Sequence, residues 1–180
     1  MKTYTIKKPK DIEKFKDEYG YKVNGNLEVE CDLDIQGRLL VEGYILTKAG
    51  GSIKAGEYIK AGEYIKAGEY IKAGGYIEAG ESIKAGESIE AGCYYGISAG
   101  LSITCKGTLS FGLNAYAGIK TWGEATDEEK TITCGKLEKG HIEYGILKET
   151  GIPENEMVEI KISRSTLEEL RKQGIKIKSN

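Results

Sequence analysis

A six-residue repeat runs almost unbroken from Ser52 to Gly92, reading S-I-K-A-G-E, Y-I-K-A-G-E, Y-I-K-A-G-G, Y-I-E-A-G-E and S-I-E-A-G-C. Isoleucine falls at 53, 59, 65, 71, 77, 83 and 89. A unit with one aliphatic residue, one alanine and one glycine is too small to bury its own apolar face, so neighbouring units must stack. Sequences of this kind form solenoids. Within each hexad the order is aliphatic, polar, small, as in Ile53-Lys54-Ala55. That alternation predicts a short strand with its first and third side chains inward. Gly56 and its equivalents follow at once and are expected to supply the unusual backbone angles of a corner, with the next polar residue turned outward.

Followed in steps of six, the aliphatic position extends back through Val23, Val29, Ile35, Val41 and Thr47, and forward through Tyr95, Leu101, Gly107, Leu113 and Ile119. This frame predicts seventeen hexads over residues 23–124. Three sides per turn would place residues 18 apart above one another at the inter-strand spacing of about 4.8 Å. The resulting ladders are Ile53, Ile71 and Ile89; Ile65, Ile83 and Leu101; and Tyr58, Tyr76 and Tyr94. A four-sided turn would instead stack Tyr58 on Ser82, so the three-sided coil is preferred.

The small residue follows the aliphatic one by two positions, as in Leu33-Asp34-Ile35-Gln36-Gly37 and Leu40-Val41-Glu42-Gly43. That order, over residues 23 to about 105, resembles the repeats of bactofilins, polymer-forming bacterial cytoskeletal proteins. The resemblance implies a right-handed triangular β-helix. The hexads I-[KE]-A-G-x-[YS] are also similar to those of small proteins encoded by bacteriophages. The expected fold is therefore mainly β, a right-handed three-sided parallel β-helix over 23–124, with an N-terminal cap over 1–22 and a C-terminal α+β cap over 125–180.

Both expected caps depart from the repeat. Asp11 to Tyr19 reads as a short helix with Ile12, Phe15 and Tyr19 on one face, stopped by Gly20. After the polar loop Glu124 to Lys130, strands are expected at Thr131 to Cys134, His141 to Ile146 and Met157 to Ser163. A capping box at Ser165-Thr166-Leu167-Glu168 starts a helix to Gln173, and a last strand runs from Ile175 to Lys178. Two capped ends argue for a monomer or small closed oligomer, because exposed sheet edges template further pairing.

Lys plus Arg total 26 against 28 Asp plus Glu, so neither a basic nucleic-acid binder nor an acidic tail is indicated. The N-terminal residues lack the apolar stretch of a signal peptide and no run approaches a membrane span, which predicts a cytoplasmic protein without membrane contact. Cys31, Cys93, Cys105 and Cys134 form no C-x-x-C pair and are expected as small buried hydrophobes. No phosphate loop, nucleophile elbow or metal cluster is present in the sequence, and no cofactor is expected. His141 is the only histidine; it lies outside the repeats and argues against a hexapeptide-type acyltransferase, which needs a histidine base near the coils.

The remaining candidates lie on the outer surface. Glu63 and Glu81 are expected to stack, as are Glu69 and Glu87, and such acidic ladders would resemble a phosphate backbone. Residues 50–100 carry five lysines and seven glutamates, however, so a mutually neutralised surface is preferred to nucleic-acid mimicry. Tyr58, Tyr64, Tyr70 and Tyr76 each precede an isoleucine, and Tyr94 falls in the same frame. Two roles stand open for them: stacking that stabilises the ladder, or anchors for a protein partner. The functional expectation is a non-enzymatic rigid interaction module; the phage likeness implies an inhibitor of a bacterial defence nuclease, of anti-CRISPR type. A bactofilin-like scaffold is the alternative.

Overall fold

The computed structural model describes residues 1–48 and 50–151. It is a parallel β-solenoid of about six turns, in which each strand of the repeat region pairs with the strand three places along the chain. The first column of stacked rungs runs from Thr3–Ile6 through Asn26–Val29, Ile45–Thr47, Ile65–Ala67, Ile83–Ala85 and Ile103–Cys105 to Thr131–Cys134 and Ile146–Glu149. The second holds Leu33–Ile35, Ile53–Ala55, Ile71–Ala73 and Ile89–Glu90. The third holds Gly20–Val23, Arg38–Val41, Ile59–Ala61, Ile77–Ala79 and Ile97–Ala99. A longer strand, Thr108–Ala117, extends both the second and third columns, and Lys136–Tyr144 stacks on it.

Ile53, Ile71 and Ile89 form one in-register ladder, as the hexad predicts. All three are fully buried, and each such side chain contributes about 1.5–3 kcal/mol over its exposed state. The alanines at the third position lie beside them and keep the central coils narrow. In the coils nearer the N-terminus, Ile35 and Val41 fill that third position, in register with Ala55 and Ala61.

This register corrects the uniform six-residue frame. Leu33, and not Ile35, is the partner of Ile53, and the two are separated by two residues more than a regular turn of 18. The extra pair lies in the Lys48 to Gly51 segment, where the buried Thr47 hydroxyl donates to Gly51 O at 2.8 Å and accepts from Gly68 N at 2.8 Å. A second extra pair lies in Cys93-Tyr94-Tyr95, so Ile77 pairs with Ile97 and Ile83 with Ile103. Leu101 is therefore a corner residue above Glu81, outside the Ile65–Ile83 ladder. Tyr95, Leu113 and Ile119 are likewise exposed, although the six-step frame placed them inward. Val23, Val29, Ile35, Val41 and Thr47 remain inward because the slip moves them from the first to the third position of the same strand, which keeps its face, whereas the opposite slip carries Tyr95 and Leu113 onto a corner.

The glycine corners also need a different explanation. Gly56, Gly62, Gly74, Gly80 and Gly86 do not have positive φ. A Cβ on Gly74 would stand 2.0 Å from Gly56 O, and one on Gly86 1.9 Å from Gly68 O. Glycine is required by the close approach of successive rungs at the corner and not by a left-handed backbone.

The N-terminal segment is a 3-10 helix, Pro9–Phe15, instead of the expected helix from Asp11 to Tyr19. With three residues per turn, Ile12 and Phe15 eclipse on one side. Ile12 is buried against the first coil, and Phe15 packs edge-on to Tyr4 with centroids 4.9 Å apart. The Asp11 carboxylate accepts from Lys7 N and Lys8 N, both at 3.0 Å, and these backbone bonds hold its pKa below the usual carboxylate value. Tyr19 lies in the hairpin between Lys16–Asp17 and Gly20–Val23 and is exposed, so it is not part of the lid. Thr3–Ile6 is itself a rung, paired with Asn26–Val29. At the other end, Thr131–Cys134 is a strand as expected, and the segment expected as one strand, His141 to Ile146, is divided at Gly145 between two rungs. The strand at Met157 to Ser163, the helix to Gln173 and the strand at Ile175 to Lys178 lie outside the described residues.

Ile71→Asp places a charge between Ile53 and Ile89, where we expect a loss of roughly 4 kcal/mol or more. Lys72→Asp removes only a half-exposed ion pair with Glu90 and should cost about 1 kcal/mol or less. Gly74→Ala should destabilise more than Lys72→Asp despite its ordinary backbone angles. Thermal melts followed by circular dichroism rank the three; equal losses for Ile71→Asp and Lys72→Asp would contradict the inward assignment.

Candidate functional site

The seven surface candidates are distributed over different corners. Between the second and third columns, Tyr58 and Tyr76 stack with ring centroids 4.6 Å apart and an interplanar angle of 7°. Arg38 closes one end of this stack: its Nη1 donates to the Tyr58 hydroxyl at 3.1 Å and its Nη2 to Asp17 Oδ2 at 2.7 Å. The Asp17 carboxylate, followed by the Tyr58 hydroxyl, raises the Arg38 pKa further. Burial and the neighbouring Tyr58 raise the Tyr76 phenol above its ordinary value.

Between the third and first columns, Tyr64 stacks on Tyr44 at 4.9 Å and 4°. The Tyr44 hydroxyl donates to Glu28 at 3.1 Å. Glu63 and Glu81 stand on successive turns of this corner, joined through Glu81 N and Glu63 O at 3.0 Å. Burial is the main cause of the raised Tyr64 pKa, with Tyr44 and Glu63 adding to it. On the remaining corner Tyr70 stands alone between Ser52 and Ser88, and it is 49% exposed. Glu69 and Glu87 occupy the same corner, and the Ser52 hydroxyl donates to Glu69 at 3.2 Å.

Tyr94 does not extend the Tyr58–Tyr76 stack. The two extra residues place Gly96 above Tyr76, with Ile77 N donating to Gly96 O at 3.3 Å, and Tyr94 projects from the turn at 79% exposure. What this insertion builds was hidden in the regular frame. Tyr95, 46% exposed, lines a shallow groove of about 340 Å³ with Tyr58 and Tyr76. Leu113, 57% exposed, is tied to it through Leu113 N and Tyr95 O at 3.0 Å. Tyr58, Tyr76, Tyr94, Tyr95 and Leu113 thus share one corner. The signal that locates them is the break in the repeat, where Ile89 is followed by Ile97 after eight residues and not six. Trp122, 62% exposed, lines a separate groove beside the third column with Ile119 and Lys120.

The charged faces are largely self-compensated. Lys54 pairs with Asp34 at 3.0 Å, Lys60 with Glu78 at 2.8 Å and Lys72 with Glu90 at 2.7 Å, each along its column. Lys66 and Lys84 stand in register with each other on the first column. A groove of about 600 Å³ follows the second column beside Tyr70 and is bordered by Lys54, Lys72 and Glu90. His141 is on the last described rung of its column, exposed, with Nε2 3.7 Å from Glu143 Oε2. Among the described residues there is no group of three or more His, Cys, Asp or Glu able to hold a metal ion, and no helix is long and apolar enough to cross a membrane.

Cysteines divide by position. Cys105 and Cys134 are buried in the first column, where burial pushes their thiols up to about 12 and about 11. Cys31 is half-buried, and Cys93 is exposed beside Tyr94, contrary to the expectation that all four are buried. A scan against protein-family models finds no match, and searches of curated proteins and of solved structures find none either. The fold and its surface therefore define the class: a β-solenoid with an aromatic corner.

Cys93 should react with a thiol reagent in the folded protein far faster than Cys105 and Cys134, and Cys93→Ser should remove that fast phase. Because the two buried thiols have raised pKa values, their contribution is intact below the unfolded value of about 9 and is lost as pH rises toward 11 to 12. Denaturant titrations should show wild type losing stability more steeply above pH 9 than Cys105→Ala/Cys134→Ala, a variant that restores the alanine of other rungs. Parallel pH profiles would contradict this.

Proposed function

We propose that the chain is a rigid, non-enzymatic interaction module that binds a protein partner through the corner formed by Tyr58, Tyr76, Tyr94, Tyr95 and Leu113. The observation that carries this reading is the concentration of exposed aromatic and apolar side chains where the repeat is interrupted. Two of the tyrosines are fixed by mutual stacking and by Arg38. Rigid aromatic anchors lose little conformational freedom on binding and are enriched among residues that dominate interfaces. The glutamate ladder at 63 and 81 is a weaker basis for binding, since exposed charges contribute little.

The partner to be tested first is a bacterial defence nuclease of the CRISPR type, in the cytoplasm of a host cell. That choice rests on the similarity of the hexads to those of phage-encoded proteins. In this reading the protein acts by contact with the nuclease, without a cofactor and without binding nucleic acid directly.

Tyr58→Ser/Tyr76→Ser introduces a residue that the repeat already carries at 52, 82 and 88. The variant should keep the fold and, combined with Tyr94→Ser, weaken partner binding by about 100-fold through loss of the three tyrosine anchors. Glu63→Gln/Glu81→Gln should change binding less than about threefold. The variants are compared in phage-plaquing assays on cells with an active CRISPR system, with circular dichroism as the folding control. Selective loss in the glutamine variant would favour phosphate mimicry. Absence of protection by wild type across the nuclease systems tested would defeat the inhibitor reading, and filaments of the intact chain in electron micrographs would favour a scaffold.

A further inference from the structure

The aromatic ladder at the corner between the second and third columns stops at a glycine. The residues stacked one above another there are Arg38, Tyr58, Tyr76, Gly96, Asn114 and His141. Tyr58 covers one face of the Tyr76 ring at 4.6 Å, but the position over the other face belongs to Gly96, which has no side chain to place there. The next side chain in the ladder, Asn114, is two inter-strand spacings of about 4.8 Å from Tyr76. A Cβ at position 96 would stand 2.2 Å from Asn114 O, so the close approach of the backbones keeps this rung clear. The result is a cleft of about 250 Å³ lined by Tyr76, Glu78, Gly96, Ser98, Asn114 and Tyr116. Sites for small-molecule ligands run from about 300 to 1,000 Å³, so this cleft is of a size for one side chain.

The groups around the cleft select which one. The face of an aromatic ring is its negative side and attracts a cation. Glu78 pairs with Lys60 through Oε1 at 2.8 Å, and its Oε2 has no partner among the described residues. A second carboxylate, Glu57, borders the adjoining groove with Tyr58, Tyr76 and Tyr95. Asn114 Nδ2 donates to the Tyr116 hydroxyl at 3.3 Å, which leaves the Asn114 carbonyl oxygen and the Ser98 hydroxyl as further acceptors. A planar cation that only donates hydrogen bonds satisfies this set. Guanidinium is such a group, whereas an ammonium cannot stack flat on the ring and a neutral aromatic would leave the carboxylate and amide unused. The other end of the same ladder supplies a precedent within the chain. There Arg38 donates to the Tyr58 hydroxyl at 3.1 Å and to Asp17 Oδ2 at 2.7 Å.

We propose that the cleft over Gly96 receives an arginine side chain of the protein partner, its guanidinium stacked on Tyr76 and hydrogen-bonded to Glu78. This rests on the reading that the corner binds a protein, and it names a group that the partner must present.

Titration of the intact, partner-free protein with N-acetyl-L-arginine amide, followed by amide chemical shifts, tests the cleft apart from the nuclease reading. Shifts at Gly96, Ile97 and Ser98 should move and saturate as the probe is raised to about 100 mM, the weak affinity of a single stacked cation. N-acetyl-L-lysine amide and N-acetyl-L-tyrosine amide should bind about threefold more weakly or less. Tyr76→Ser should abolish the arginine response, and Glu78→Gln, a surface change, should weaken it about fivefold, with the remaining resonances as the folding control. No movement at these amides, or a lysine or tyrosine response as large as that to arginine, would overturn the proposal. Arginine binding unchanged in both variants would overturn it by placing the probe elsewhere. Saturable, arginine-selective binding lost in the variants would support the cleft even where wild type gives no protection in the plaquing assay, and that pair of results would count against the nuclease as partner.

Discussion

The structure depends on the close parallel approach of each rung to the rung one turn below. Backbone pairing at that spacing brings a carbonyl against the corner glycine, within 2.0 Å of where a Cβ of Gly74 would lie. The same approach sets like residues above like, isoleucine on isoleucine inside and tyrosine on tyrosine outside. Core and surface are thus coupled. A side chain repeated for reasons of core packing carries with it a repeated exterior, and the exterior is specific only where the repetition fails.

Two such failures matter. The extra residues in the Lys48 to Gly51 segment are absorbed quietly, because Thr47 uses its hydroxyl to bind both Gly51 and Gly68. The extra residues at Cys93-Tyr94-Tyr95 are turned outward instead, and the next turn places Leu113 against them. The first insertion preserves a wall, and the second builds a protrusion. The proposed binding corner lies at the second, away from the faces of the second and third columns, where lysine and carboxylate pairs satisfy one another.

The ends obey the same physical constraint from opposite directions. Near the N-terminus the 3-10 helix buries Ile12, and the Lys16–Asp17 strand pairs antiparallel with Gly20–Val23, which ends the parallel series. At the far end Leu137, Ile142 and Leu147 are half-buried on the last described rungs. A parallel stack has no intrinsic length, so what terminates it decides whether the molecule is a closed unit or a polymer.

The sequence by itself determined the strand triplets, their inward faces and the stacking of Ile53, Ile71 and Ile89, because the period-two alternation within a hexad admits one buried face. It also determined that Glu81 follows Glu63 on one corner and that Tyr58 meets Tyr76. Tertiary structure decided the register across the two insertions. A two-residue slip that stays within one triplet leaves an inward residue inward, so hydrophobic pattern alone does not distinguish Leu33 from Ile35 as the partner of Ile53; hydrogen bonds between turns do. At the second insertion the slip has the opposite sense, so Tyr95, Leu113 and Ile119 read as core in a steady count of six but fall outside the strand triplets and stand on the surface once the rungs are paired. The glycines, too, were legible as corners, but only the neighbouring turn reveals that what excludes a side chain there is another strand's carbonyl.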